Sequence, residues 1–214
     1  MAGPAARHAD NLAYCSEQLR TGAPDLVLSA QFAEPAQRAT LLALRAFGLE
    51  IHKIPATVSE PPLGAIRQQW WRDALDEVIA GNTVRAHPVV EALAEAPGRA
   101  ALHRVRPQLE ASIEGVGWFL DGEQLSSPGH ALDLARQIHG SLAEAIARTV
   151  APEVEEGIIA AIGRLEAAAT LARLTGPQGA GERARSHAGL VATFSERLQE
   201  LRERGDGGAN AAGA

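Results

Sequence analysis

The sequence predicts an all-α protein, a single bundle of about seven to eight helices, and three observations carry the reading. Ala, Leu, Glu and Arg are abundant, whereas only four Phe and one Tyr are present, which favours helix over strand. Apolar residues recur at intervals of three and four along most of the chain, and no stretch of useful length alternates as a strand does. Prolines fall where helices start and glycines where they stop, the asymmetry that follows from the unpaired N–H groups of a first turn.

Turn signals divide the chain in order. A first helix is expected over about Ala9 to Leu19, ending at Thr21-Gly22, and a short one after Pro24-Asp25. Glu34-Pro35 opens a helix to Ile54, with Leu41, Leu44, Phe47 or Gly48, Ile51 and Ile54 on one buried face and Pro55 closing it. Ser59-Glu60-Pro61-Pro62 opens another that runs to Ala80. It carries Leu63, Ile66, Trp70, Ala74 and Val78 on one side, Trp71, Leu75 and Ile79 widening the stripe, and Gly81 as its stop. His87-Pro88 starts a short helix that breaks at Pro97-Gly98. The helix from about Arg99 to Leu120 holds Pro107, which predicts a kink or a junction there. Asp121-Gly122 turns, and Ser127-Pro128 caps a helix through Leu132, Leu134, Ile138, Leu142, Ile146 and Val150. Pro152 begins the next, whose apolar face is Ile158, Ile162, Leu165 and Ala169. Gly176 to Gly181 cannot sustain a helix and reads as a loop before a last helix over about Arg183 to Arg204.

The 214 residues suffice for one full-sized core, so the chain reads as a flexible N-terminus (1–8), one helical domain (9–204) and a disordered tail (205–214). A net charge of −6 and a pI near 5.7 argue against nucleic acid as a partner. Cys15 is the single cysteine, so no internal disulfide or thiolate cluster can form, and a reducing compartment is the simpler setting. The opening residues MAGPAARHADN lack the apolar stretch of a secretory signal. Val154 to Leu174, the most apolar run, is interrupted by Glu155, Glu156, Arg164 and Glu166, so no transmembrane segment is expected. These features predict a cytoplasmic protein, with peripheral contact at the inner membrane left open.

Several segments, in order and covering roughly Tyr14 to Leu201, resemble the squalene/phytoene synthase superfamily. Phe32 to Phe47 resembles its opening helix, with Arg38 at the basic position and Ala43-Leu44-Arg45-Ala46-Phe47 in its frame. Gly64 to Leu75, with Trp70-Trp71-Arg72, followed by Gly81 and His87-Pro88-Val89, is similar to the family's W-R-x-x-L, Gly and His-Pro-Val pattern and is the most specific match. Ala135 to Ala147 resembles the mid-chain helix, and Ala161 to Arg173 the helix that leads to a second aspartate motif.

Active members, the resemblance implies, hold Mg²⁺ and a diphosphate between two facing aspartate motifs. Set against the first motif, this chain carries His52, Lys53 and Ala56; set against the second, it keeps Arg173 but has Leu174 and Gln178 in place of the aspartates. Magnesium needs hard oxygen ligands around the leaving diphosphate, so no metal or other cofactor and no catalytic residue is expected. Phe47-Gly48-Leu49-Glu50-Ile51, followed by Thr57-Val58-Ser59-Glu60, looks closer to a non-catalytic branch of the superfamily that includes a mitochondrial assembly factor for respiratory complex I. That resemblance implies a protein partner, with an isoprenoid or anionic lipid as a further candidate.

Single residues carry blander readings beside these. Glu50, on a face expected to be buried, needs a partner such as Arg38, Arg67 or Lys53. Trp70 reads as core, and Trp71 as core against another helix or as an exposed anchor. Asp73, Asp76 and Glu77 read as a solvated face. They are also the only local candidates for a substitute Mg²⁺ site if the chain is instead a prenyltransferase condensing isoprenoid diphosphates. A third reading is a carrier that binds prenyl chains unreacted. The seven His are scattered without a zinc-binding spacing, and His87 reads as a residue packed at a turn.

Overall fold

A computed structural model describes the backbone of residues 4–175 and the side chains of residues 6–173. The expected loop at Gly176 to Gly181, the helix over Arg183 to Arg204, the tail 205–214, Gln178 and the Leu174 side chain lie outside the described residues. What is described is all-helical, in the order α1 (Pro4–Gly22), α2 (Pro24–Ala30), α3 (Pro35–His52), α4 (Ile54–Thr57), α5 (Pro61–Ala80), α6 (Pro88–Leu93), a wide turn (Ala94–Gly98), α7 (Arg99–Gly117), α8 (Pro128–Ala135), a π-bulge (Arg136–Gly140), α9 (Ser141–Val150) and α10 (Glu156–Thr175).

Proline stands in the first turn of α2, α3, α4, α5, α6 and α8, where its missing N–H leaves no bond unmade. The Ser127 side chain accepts from the His130 N–H at 3.0 Å and caps α8. Gly81 ends α5 in the left-handed region, φ 73°, a conformation that costs other residues energy.

α3 is the hub and packs on α1, α6 and α9. Apolar periodicity assigns it one buried face, but Thr40, Leu42, Ala43, Leu44, Ala46, Phe47, Gly48, Leu49 and Ile51 are all buried, so it is enclosed on nearly every side. Its small residues permit this, because a central helix surrounded by others needs room for neighbouring backbones. Around it, α5 packs on α7, α7 on α9, and α10 on α9 and the π-bulge.

Several expectations are corrected. α1 begins at Pro4 rather than Ala9. α3 stops at His52, and Pro55 belongs to the first turn of α4 instead of closing the helix before it. On α5 the buried positions are Gly64, Gln68, Trp71, Ala74, Leu75 and Val78, while Leu63 and Ile66 are exposed. Gln68 fixes this rotation, since its Nε2 donates to the Ile113 carbonyl at 2.5 Å and so satisfies a buried amide. α7 is one continuous helix across Pro107, which is exposed, so no junction of two pieces is found there.

α10 begins at Glu156, not Pro152, and its expected apolar face is turned away from the core. Ile158, Ile162 and Leu165 are exposed, whereas Ile159, Gly163, Ala167 and Thr170 are buried. The cause is a close helix crossing. A Cβ on Gly140 of the π-bulge would lie 2.7 Å from the Gly163 carbonyl oxygen, so these helices meet backbone to backbone through their small residues.

Candidate functional site

The site is built where α3 gives way to α4. Lys53 closes α3 with its N–H bonded to the Leu49 carbonyl, which brings its side chain back alongside Glu50 one turn earlier. Lys53 Nζ donates to Glu50 Oε1 at 2.9 Å and to Gln18 Oε1 of α1 at 2.8 Å. The two charged side chains retain only 28% and 19% exposure. Of the three partners considered for Glu50, the structure selects Lys53.

Glu50 faces an aromatic box. Its charge adds to burial in raising the Tyr14 pKa, and it partly offsets the lowering of His87 by burial. Phe47 meets Trp71 edge to face at 5.5 Å, and Trp71 meets His87 at 5.2 Å. Trp70 lies 5.0 Å from Trp71 and 5.6 Å from His87, with the Arg85 guanidinium 4.8 Å above its ring. Tyr14 closes the box at 6.4 Å from His87. His87 also caps α6, its Nδ1 accepting from the Val89 N–H at 3.2 Å. His87 therefore does more than pack at a turn; it joins α6 to the tryptophans.

His52, also set against the first motif, points elsewhere. The His52 ring packs edge to face on His139 of the π-bulge, with centroids 4.5 Å apart. Burial and, secondarily, the Arg173 charge push the His139 pKa down to about 4, so its imidazole is neutral at physiological pH. Arg173 is the second-motif position that the family resemblance retains. The structure thus brings His52 and Arg173 both near His139, and sends Lys53 to α1. Arg173 itself donates to Glu166 Oε1 and Thr170 Oγ1, each at 3.0 Å.

The remaining predicted positions scatter. Arg38 donates to the carbonyls of Ala30, Gln31 and Ala33 and so closes the end of α2. Arg67 is exposed and donates to Thr57 Oγ1 at 2.8 Å, tying α5 to α4. Ala56 is exposed. Trp71 is core, 5% exposed, the first of its two readings, whereas Trp70, expected as core, is only partly buried and lies under Arg85. The acidic trio of α5 is engaged by arginines. Asp76 pairs with Arg106 at 2.7 Å, Glu77 with Arg85 at 2.5 Å, and Asp73 lies 3.9 Å from Arg85. Sequence reasoning missed Tyr14, Gln18, Arg85 and His139. The Gly140 that follows His139 was the one available signal, a small residue inside an apolar run.

The residues gathered at the end of α3 do not fit magnesium. They are an ammonium, two imidazoles and one carboxylate already neutralised by that ammonium, where the ion requires several hard oxygens. Among the described residues no three His, Cys, Asp or Glu side chains converge as a metal-binding group.

An all-helical bundle with a central enclosed helix and this order of segments is of the isoprenoid-synthase type. The chain belongs to the squalene/phytoene synthase family, whose profile matches residues 19–206. It is 33% identical over 69 residues to the bovine (Bos taurus) protein described as NADH dehydrogenase (ubiquinone) complex I, assembly factor 6, a match covering 32% of this chain and 21% of that protein. Against the human (Homo sapiens) protein of the same description it is 31% identical over 80 residues, 37% of this chain and 23% of the relative. The matches thus span only about a fifth to a quarter of these relatives. No solved structure gives a significant match.

Proposed function

We propose that this chain is a non-catalytic member of its family that acts in protein assembly, by binding a protein partner in the manner suggested by relatives described as complex I assembly factors. The observation that carries the reading is the Lys53–Glu50 pair, bonded on to Gln18, at the position set against the first aspartate motif. A fixed cation stands where the family's chemistry needs carboxylates for Mg²⁺, and the single carboxylate nearby is held by it. The engagement of Asp73, Asp76 and Glu77 with arginines weighs against the substitute metal site that a prenyltransferase would need. Phe47, Ile51 and Ile138, each 0% exposed in the middle of the bundle, weigh against an open prenyl-carrier channel.

No helix among the described residues is long and apolar enough to cross a membrane. We take the working location to be the cytoplasm, with access to the inner-membrane surface where a respiratory complex is assembled. Deleting the encoding gene and resolving membrane complexes on native gels tests the reading. Loss of assembled NADH dehydrogenase with accumulation of sub-assemblies is the expected result. Unchanged assembly together with a defect in an isoprenoid product would overturn it.

A further inference from the structure

α10 is apolar on two opposed faces. Ile159, Gly163, Ala167 and Thr170 are buried where the helix packs on the π-bulge, α9 and α8. The far side is made of Ile158, Ala161, Ile162, Leu165, Ala168 and Ala169, which at about 100° per residue fill a sector of about 120°. No charged residue of α10 falls within that sector. Arg164 stands at one border, and Glu166 and Arg173 at the other. A helix that is apolar all round is an interior helix, so this outer face calls for an occupant that the described residues do not supply.

The sequence offers one at the right place. After α10 ends at Thr175, residues 176–182 are a short, glycine-rich connection, and residues 183–204 carry Leu190, Phe194, Leu198 and Leu201 at helical spacing. Two helices joined so closely are antiparallel neighbours. Folding the chain back between Gly179 and Ala180 sets residues equidistant from that point opposite one another. Leu165 then meets Phe194, Ile158 meets Leu201, Ala169 meets Leu190 and, to within one residue, Ile162 meets Leu198. A single fold-back point thus brings all four large residues onto the exposed stripe, and it lies in the middle of the connection. The family profile also runs through this segment, to residue 206.

We propose that residues 183–204 dock as an antiparallel helix on the outer face of α10, where Leu190, Phe194, Leu198 and Leu201 cover Ile158, Ile162, Leu165 and Ala169. A second copy of the chain fits this face less well. A stable dimer buries about 800 Å² on each partner, and three part-exposed aliphatic side chains with intervening alanines fall well short of that. A membrane also fits less well, because a helix lying on one carries an excess of Lys and Arg beside its apolar face, whereas here Arg164 and Arg173 are balanced by Glu155 and Glu166. The inference is independent of the partner-binding reading, and it removes the α10 stripe from the surfaces open to a partner.

The test uses the full chain, whose own Cys15 is buried and therefore slow to react. Oxidation of the Leu165→Cys/Phe194→Cys variant should close a disulfide within one molecule, whatever the dilution, since facing helices bring Cα atoms within its reach. The Leu165→Cys/Leu201→Cys variant should not, because its second thiol is moved two turns, about 10 Å along the axis. Ala169→Cys/Leu190→Cys repeats the matched test with less apolar volume removed, and it decides the matter if the first pair lowers helix content by circular dichroism. The single variant Leu165→Cys should react with a thiol reagent at least about tenfold more slowly than Leu28→Cys, although the two leucines are 71% and 66% exposed. Equal reaction rates, equal cross-linking in the two registers, no cross-link in either matched pair, a cross-link only between molecules, or protection of Leu165→Cys that requires phosphatidylglycerol vesicles would each overturn the proposal.

Discussion

Replacing Gly140 by Ala should destabilise the protein, although the same exchange at most helical glycines stabilises. Gly140 has ordinary helical dihedrals, φ −62° and ψ −46°, so Ala meets no backbone strain and removes an entropic cost of about 0.5 to 1 kcal/mol. Against that gain, the new Cβ would lie 2.7 Å from the Gly163 carbonyl oxygen and 3.3 Å from its carbon. These are backbone atoms that no rotamer change can move, so α10 must back away by several tenths of an ångström and loosen its contacts at Ile138 and Ala167. Overpacking of this kind costs about 1 to 3 kcal/mol, which set against the propensity gain leaves a net loss of up to about 2.5 kcal/mol. For a chain of this length that is a fall in Tm of a few degrees. Gly157→Ala is the control, because the nearest atom to its Cβ, Glu155 Oε1, is at an ordinary 3.7 Å. Thermal and urea unfolding followed by circular dichroism should therefore show opposite signs for the two variants. Stabilisation by Gly140→Ala would refute the close crossing and, with it, the inward turn of the Gly163 face of α10.

Three further outcomes follow from the site. His139 has a folded pKa of about 4, below the ordinary 6.5, so the folded state binds protons less readily; the stability it contributes is complete above about pH 6.5, is lost as pH falls towards 4, and amounts to at most about 3 kcal/mol. His139→Leu should flatten that part of the stability–pH profile relative to wild type, and an unchanged slope would contradict the half-buried neutral imidazole. Trp71→Ala should cost about 3 to 5 kcal/mol in urea unfolding and Trp70→Ala distinctly less, and the reverse order would contradict the burial of Trp71 in the core. Lys53→Met should lose about 1 to 3 kcal/mol by leaving the Glu50 carboxylate unpaired, with part of the loss recovered in the double variant with Glu50→Gln; additive losses would show that the two side chains act separately.

Punctuation was the most legible part of the fold. Pro24, Pro35, Pro61, Pro88 and Pro128 each mark a helix start because proline satisfies a first turn by itself, a local effect that needs no tertiary knowledge. Faces were less legible. On α5 and α10 the apolar stripe read from sequence differs from the buried one because small or polar residues, Gly64, Gln68, Gly163 and Thr170, are drawn inward by close backbones and by one buried amide bond. Periodicity weighs side chains by hydrophobicity and gives no weight to a glycine that lets a helix approach. The enclosure of α3 followed the same logic.

At the site, a partner for Glu50 was readable, since an i, i+3 pair is fixed by helix geometry alone. The contacts between helices were not readable. That His52 would meet His139, or that His87 would lie between Tyr14 and two tryptophans, depends on the π-bulge and on helix crossings that no local pattern encodes.

The most direct measurement is pyrophosphate release from farnesyl diphosphate by the purified full chain in the presence of Mg²⁺, with and without a chelator. A cation fixed by Glu50 and Gln18 beside a packed imidazole pair predicts no release above the protein-free control under either condition. Sustained release with Mg²⁺ that the chelator abolishes would contradict the account.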